Sequence, residues 1–310
     1  MYQTVELFSQ TIACSLCFIE DIVQSTMIKK CLGLEGDLDD AGIGYEPSPF
    51  AKRIGIVKKT DYKVVEFDKQ YKGDKKILMI CTEERYMLMA NGKKFSSGNH
   101  PVESCHPIMH LVNAGFDYDV ATPTGKPVCL EMWALPQKDE VFLDFFNKTA
   151  KPKFDAPFSL ADIVTDEKKL SQYLCFFPPG GHGAMLGLPE DENLGKLLGY
   201  AKEKDLFIMS LCHGPAAFLA AAKQEPFPFD GYKIACYPDS VDKQAPMIGY
   251  VPGELTWYCG EKLIALGVTI VNKAADATVV EDRKLITGAS PKACQGLGVL
   301  VAKKLLESYA

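Results

Sequence analysis

Six apolar runs of five to eight residues, with helix-like stretches between them, constrain this chain more than any other feature. They are KKILMIC (75–81), FDYDVATP (116–123), YLCFFPP (173–179), LFIMSL (206–211), KIACYP (233–238) and VTIVN (268–272). Most are near-continuous in apolar side chains, as strands are when both faces of their sheet are covered. Helical patterns lie at 101–115, 193–205, 214–224 and 256–267. Strand and helix alternate, which predicts an α/β fold: a parallel sheet with helices on both faces. The segment 278–288 (TVVEDRKLITG) reads as a late hairpin at the sheet edge. Ser290 as N-cap and Pro291 at the first position open a last helix that runs to the C-terminus.

Organisation changes near residue 72. Residues 1–72 are turn-rich and carry few strand patterns, so they are assigned to an N-terminal extension or small lobe, and 73–310 to the α/β core. The irregular stretch 125–165 is expected to contribute to the small lobe. With 47% hydrophobic residues in 310, the chain can bury a sizeable core. The net charge of −6 gives no basic footprint for nucleic acid or an anionic membrane, so neither is expected as a stable partner. Eleven cysteines, an odd number scattered through apolar runs, suit a reducing cytoplasm better than a disulfide framework. Cys14 and Cys17 have metal or redox spacing, but no second pair answers them. They read as one face of an N-terminal helix. That apolar stretch is too short to span a bilayer and lacks the charge pattern of a signal peptide.

Cys212 is the candidate nucleophile. The run 206–211 stops at Leu211, then Cys212-His213 precedes Gly214-Pro215 and an alanine-rich helix-like segment. In such sheets ligands bind beyond the carboxyl ends of the strands. A strand–sharp turn–helix junction exposes a nucleophile there. A helix N-terminus supplies partial positive charge and free N–H groups, so the Cys212 thiol is expected to have a lowered pKa. The same N–H groups can stabilise an oxyanion. Neighbouring residues on a helix do not face each other, so the His213 ring need not touch the sulfur. Its backbone N–H suits an oxyanion, and its ring needs a carboxylate from elsewhere.

Gly180-Gly181-His182-Gly183 follows another predicted strand. It lacks the Lys-Ser/Thr of a phosphate loop and reads as an oxyanion or substrate-cradling turn, with His182 either a substrate contact or solvated. Glu103 falls in the first turn after the polar loop 96–100. Such a glutamate either caps a helix or, beside a thiol, carries protons. His106 and His110, four apart, share a helix face without a clear third metal ligand.

Six motifs, in order, resemble one family: FSSGNHPVE, PPGGHGAMLGLPE, SLCHGPAAFLA, CYPDSVDKQAPMIGYVPG, LTWYCGE and DRKLITGASP. It is the heat-shock chaperone and glyoxalase/deglycase (HchA-type) branch of the ThiJ/PfpI superfamily. The resemblance runs from about Tyr71 to the C-terminus. It implies a flavodoxin-like core, a smaller extra lobe and a homodimer. It also implies a triad-like set of Cys212, His213 and Asp242, with Glu103 as acid/base, and oxyanion donors at Gly181 and the His213 backbone. The implied activity is glutathione-independent conversion of a 2-oxoaldehyde to a 2-hydroxy acid, together with removal of early glyoxal adducts from side chains. No cofactor is expected. The alternatives are a holdase that binds unfolded clients without turnover, and a cysteine peptidase or amidase. Relatives hold zinc with two histidines and a carboxylate. At those positions stand Val112, Asp117 and Thr149, so Asp117 is the only remnant.

Overall fold

The apolar runs become strands whose alternate side chains feed two cores. The computed structural model describes residues 26–310, and Cys14 and Cys17 lie outside them. Eleven strands follow in chain order: β1 (Lys76–Ile80), β2 (Tyr86–Leu88), β3 (Lys94–Ser96), β4 (Tyr118–Thr122), β5 (Phe158–Ser159), β6 (Tyr173–Phe177), β7 (Phe207–Leu211), β8 (Lys233–Ile234), β9 (Thr269–Ile270), β10 (Val279–Asp282) and β11 (Leu285–Gly288). Seven of them form the central sheet in the order β10-β11-β7-β6-β1-β4-β5. Every pairing in it is parallel except the β10–β11 hairpin, which closes one edge as the sequence predicts.

Leu78, Ile80, Phe176 and Ile208 face one side, where they meet Leu194, Leu197, Leu198, Phe218 and Leu263. Ile77, Met79, Phe177 and Met209 face the other, against Ile108, Leu111, Leu297, Val301 and Leu305. This is the two-sided burial expected of a strand with few polar positions. The flavodoxin-like expectation therefore holds for the central sheet.

Two of the six runs do not join it. β8 and β9 pair with each other in a separate two-stranded parallel sheet. The hairpin occupies the edge beside β7, and the chain around β8 meets it through side-chain acceptors instead of a ladder. Lys233 N–H donates to Asp282 Oδ2 at 2.8 Å and Ala235 N–H to Thr287 Oγ1 at 2.8 Å. Within 125–165, β5 pairs with β4 at the far edge of the central sheet. The predicted helix after Cys212 is a 3₁₀ helix, Gly214–Ala221.

The helix Pro101–Asn113, which carries Glu103, is seated by the C-terminal helix Cys294–Tyr309. Ser290 caps the latter's entry, accepting from Lys292 N–H at 3.2 Å. The two helices approach so closely at Gly298 that a Cβ there would lie 2.8 Å from His110 Cδ2 and 2.9 Å from Pro107 Cα. Backbone on one side cannot yield cheaply. Gly298→Val is expected to lower unfolding free energy by about 1–3 kcal/mol in a urea titration. Gly296→Ala, whose Cβ would meet only Val279 Cγ2 at 3.4 Å, is expected to be neutral or to stabilise by up to about 1 kcal/mol.

Candidate active site

Two neighbouring strands, β7 and β6, deliver Cys212 and the glycine turn at their carboxyl ends, and Glu103 comes from the first turn of the helix Pro101–Asn113. β7 runs straight into Cys212, which adopts φ 57°, a left-handed conformation that costs a non-glycine residue roughly 1–2 kcal/mol. The residue is tied on both sides. Its N–H donates to Gly288 O at 2.9 Å, and its C=O accepts from Tyr237 N–H at 2.9 Å. The strain is held where the chain must turn sharply to present a side chain.

The sulfur sits 3.5 Å from His213 Nδ1, so the adjacent imidazole does reach it. His213 Nε2 pairs with Asp242 Oδ2 at 2.8 Å. The other oxygen, Asp242 Oδ1, pairs with His182 Nε2 at 3.1 Å, and the two imidazoles lie 4.0 Å apart between centroids. Burial opposes ionisation of Asp242, but His213 and His182 outweigh it and hold the carboxyl below its usual range. Cys212, His213, Asp242 and His182 are all buried.

Glu103 approaches from the other side and is 1% exposed. Gly180 is the spacer. A Cβ there would lie 1.9 Å from Glu103 Oε2 and 2.7 Å from Cys212 Cβ. Gly181, at φ 94°, turns the chain so that its N–H favours negative charge on both Cys212 and Glu103. The structure thus brings Cys212, His213, Asp242, Glu103, Gly180, Gly181 and His182 together.

One expectation is reversed. The Cys212 thiol is raised well above its ordinary value, not lowered. Burial is the main cause, and the Glu103 carboxylate adds to it. The following helix is 3₁₀ and short, so its end charge does not offset 4% exposure and a neighbouring acid. Glu103 is itself raised by burial, against the favourable contact with Cys212. The pair therefore competes to hold a proton. A protonated Glu103 removes the repulsion and can donate to the sulfur.

Sequence reasoning missed several groups. Glu131 is 1% exposed, and burial raises its carboxyl to about 7. Tyr237 lies 4.7 Å from the His213 ring, and Phe95 and Tyr250 flank His182 at 5.7 and 5.8 Å. His100 is half-buried, and desolvation and His182 lower it to about 4. An acid isolated among apolar residues, as in Leu130-Glu131-Met132-Trp133, was the available signal for Glu131.

Asp117 does not offer a zinc site. Its oxygens face ammonium groups, Lys153 Nζ at 3.2 Å and Lys76 Nζ at 3.3 Å, while Val112 supplies no ligand atom. His106 and His110 are both buried and both bond Gln295 Oε1, at 3.1 and 2.9 Å. Among the described residues, His182, His213 and Asp242 form a group whose possible ligand atoms lie within 4.8 Å of one another. Their mutual hydrogen bonds already account for that arrangement.

A strained cysteine backed by histidine and aspartate, at the carboxyl edge of a flavodoxin-like sheet, defines a class of α/β proteins with a thiol-centred site. The chain is 47% identical over 251 residues to the protein/nucleic acid deglycase HchA of Escherichia coli O157:H7, covering 81% of this chain and 88% of that protein. It is 48% identical over 272 residues to HchA of Pseudomonas aeruginosa, covering 85% and 92%. The chain belongs to the HchA deglycase family. Glyoxalase III of Candida albicans shares the fold at a TM-score of 0.58 and 21% identity, over 76% of this chain and 98% of that one. No protein-family profile matches the sequence.

Proposed function

We propose that this protein is a glutathione-independent glyoxalase and deglycase that uses Cys212 as nucleophile and Glu103 as proton carrier. The observation that carries the reading is that the Cys212 side chain and the Glu103 carboxyl both close on the space a Gly180 Cβ would fill, both shut from water. The names of its relatives, protein/nucleic acid deglycase, and of a structure sharing its fold, glyoxalase III, support the same chemistry.

The steps balance as follows. Cys212 sulfur adds to the aldehyde carbon of methylglyoxal, and its proton passes to the carbonyl oxygen, giving a hemithioacetal. Glu103 in its carboxylate form takes the proton from that carbon, and the electron pair moves onto the ketone oxygen, giving an enediolate. The hydroxyl proton passes from the first oxygen to the second as Glu103 returns its proton to the adjacent carbon, leaving a thioester. Water hydrolyses it, releasing lactate and the thiol. The net change is addition of one water, so no redox partner is consumed and none of these steps calls for a cofactor. Gly181 N–H lies where it favours negative charge at the sulfur end. The His213–Asp242 pair relays the thiol proton to the carbonyl oxygen and can activate the water. A glyoxal adduct on a Cys, Lys or Arg side chain presents a carbon of the same oxidation level to the same sulfur.

Purified protein given methylglyoxal without glutathione is expected to form lactate of one predominant hand, followed by a chirality-resolved assay. No lactate, with Cys212 verified as reduced, overturns the reading. The proposed partners are small 2-oxoaldehydes and glycated side chains. Among the described residues no helix is long and apolar enough to cross a membrane.

A further inference from the structure

Of the three buried acids in this site, two have evident work. Asp242 holds two imidazoles, and Glu103 faces the thiol. Glu131 is left. Its Oε1 accepts from Ser97 Oγ at 3.0 Å, and its equally buried Oε2 has no hydrogen-bond partner among the described residues. Leaving such an atom unpaired costs about 1–3 kcal/mol, so a carboxyl in this position calls for a reason beyond packing.

The backbone supplies the connection. Glu131 N–H donates to Asn99 O at 3.0 Å. The same loop bonds the glycine turn, with Gly183 N–H to Gly98 O at 3.0 Å and His100 N–H to Gly180 O at 3.0 Å. One loop, Ser97–His100, therefore carries Glu131 on one side and the His182 turn on the other. We propose that Glu131 is a positioning residue for the Cys212 relay, acting through His182 and Asp242 on His213. Asp242 gives one oxygen to each imidazole, so whatever changes the charge or placement of His182 changes how fully Asp242 supports His213. His213 in turn is 3.5 Å from the sulfur.

The titratable groups facing Glu131 are His182 on the glycine turn, Glu103 on the Pro101–Asn113 helix and Tyr250 on the loop after β8; His100, on the shared loop, couples to His182. Burial, partly offset by the His182 ring and the Ser97 hydroxyl, sets the Glu131 carboxyl at about 7. Above that pH its anion favours positive charge on the His182–Asp242–His213 set and so eases proton removal from the sulfur. Below it, that support is lost.

The proposal rests on Cys212 being the nucleophile of the proposed function, and alkylation of Cys212 by iodoacetamide reads it without turnover. In the wild type the rate is expected to step upward through about pH 7. In Glu131→Gln the step disappears, and the rate at pH 8 falls about tenfold, the effect of one pKa unit. His182→Asn behaves alike, and the double variant matches His182→Asn within about twofold, because effects in one relay do not add. Ser97→Ala keeps the charge but removes a bond that favours it, so the step moves to higher pH; this variant serves if Glu131→Gln does not fold. A Glu131→Gln profile that superimposes on the wild type, a double variant showing the product of the two single losses, or an unmoved step in Ser97→Ala overturns the proposal. Missing lactate with the pH step intact removes the glyoxalase reading alone.

Discussion

Cys212→Ala is expected to lose roughly 10⁴-fold or more in kcat/KM for methylglyoxal, the scale seen when a nucleophile is deleted. Nothing else in the described site can replace the sulfur. Each of the buried thiols Cys81, Cys105, Cys175 and Cys294 is pushed up by burial, and none has an imidazole partner. The variant should still fold. Alanine keeps the Cβ, and the two backbone bonds that hold the φ of 57° do not involve the side chain. Suppression of client aggregation, if the protein acts as a holdase, is expected to survive the substitution, because that activity draws on apolar surface. Lactate formation and aggregation assays on the same preparation separate the two. Retention of more than about a tenth of the wild-type lactate rate would remove Cys212 from the mechanism.

The fold was largely legible because buried parallel strands leave a strong mark: short apolar runs interrupted by helical periodicity. Four of the six runs became central-sheet strands, and the hairpin at 278–288 took the edge. β8 and β9 were misplaced because local apolarity does not say which edge a strand will find, and here the hairpin was already there. The candidate nucleophile and its place at a strand end were legible from the strand-to-helix punctuation around Cys212-His213-Gly214-Pro215. Its proton affinity was not. That depends on Glu103, brought across from residue 103 by tertiary packing, and on burial that no local pattern reports. Glu131 was hidden for the same reason. It lies in an irregular segment, and only the bridge between Leu130 and Asn99 brings it to the site. The sharing of Asp242 between His182 and His213 was likewise invisible, since residues 182, 213 and 242 come from separate segments of the chain.

Gly180→Ala and Glu103→Gln are expected to damage lactate formation by similar amounts, about 10²–10⁴-fold, the usual contribution of a positioned proton carrier. The alanine acts by displacement. Its Cβ would fall 1.9 Å from Glu103 Oε2 and 2.7 Å from both Cys212 Cβ and Leu211 O. The strand carbonyl cannot move without disturbing β7, so the carboxyl must leave. Glutamine keeps the shape and removes the proton chemistry. The two variants should therefore be nearly equivalent in combination, with the double variant no worse than the poorer single one. Thiol reactivity distinguishes this account from simple loss of structure. The Glu103 carboxylate raises the Cys212 thiol, so removing that charge favours the thiolate. Glu103→Gln is expected to be alkylated at Cys212 at or above the wild-type rate near neutral pH while producing almost no lactate. If alkylation and lactate formation fall together in a protein with an unchanged unfolding midpoint, Glu103 serves to build the thiol site and the proton between the two carbons is carried by another group.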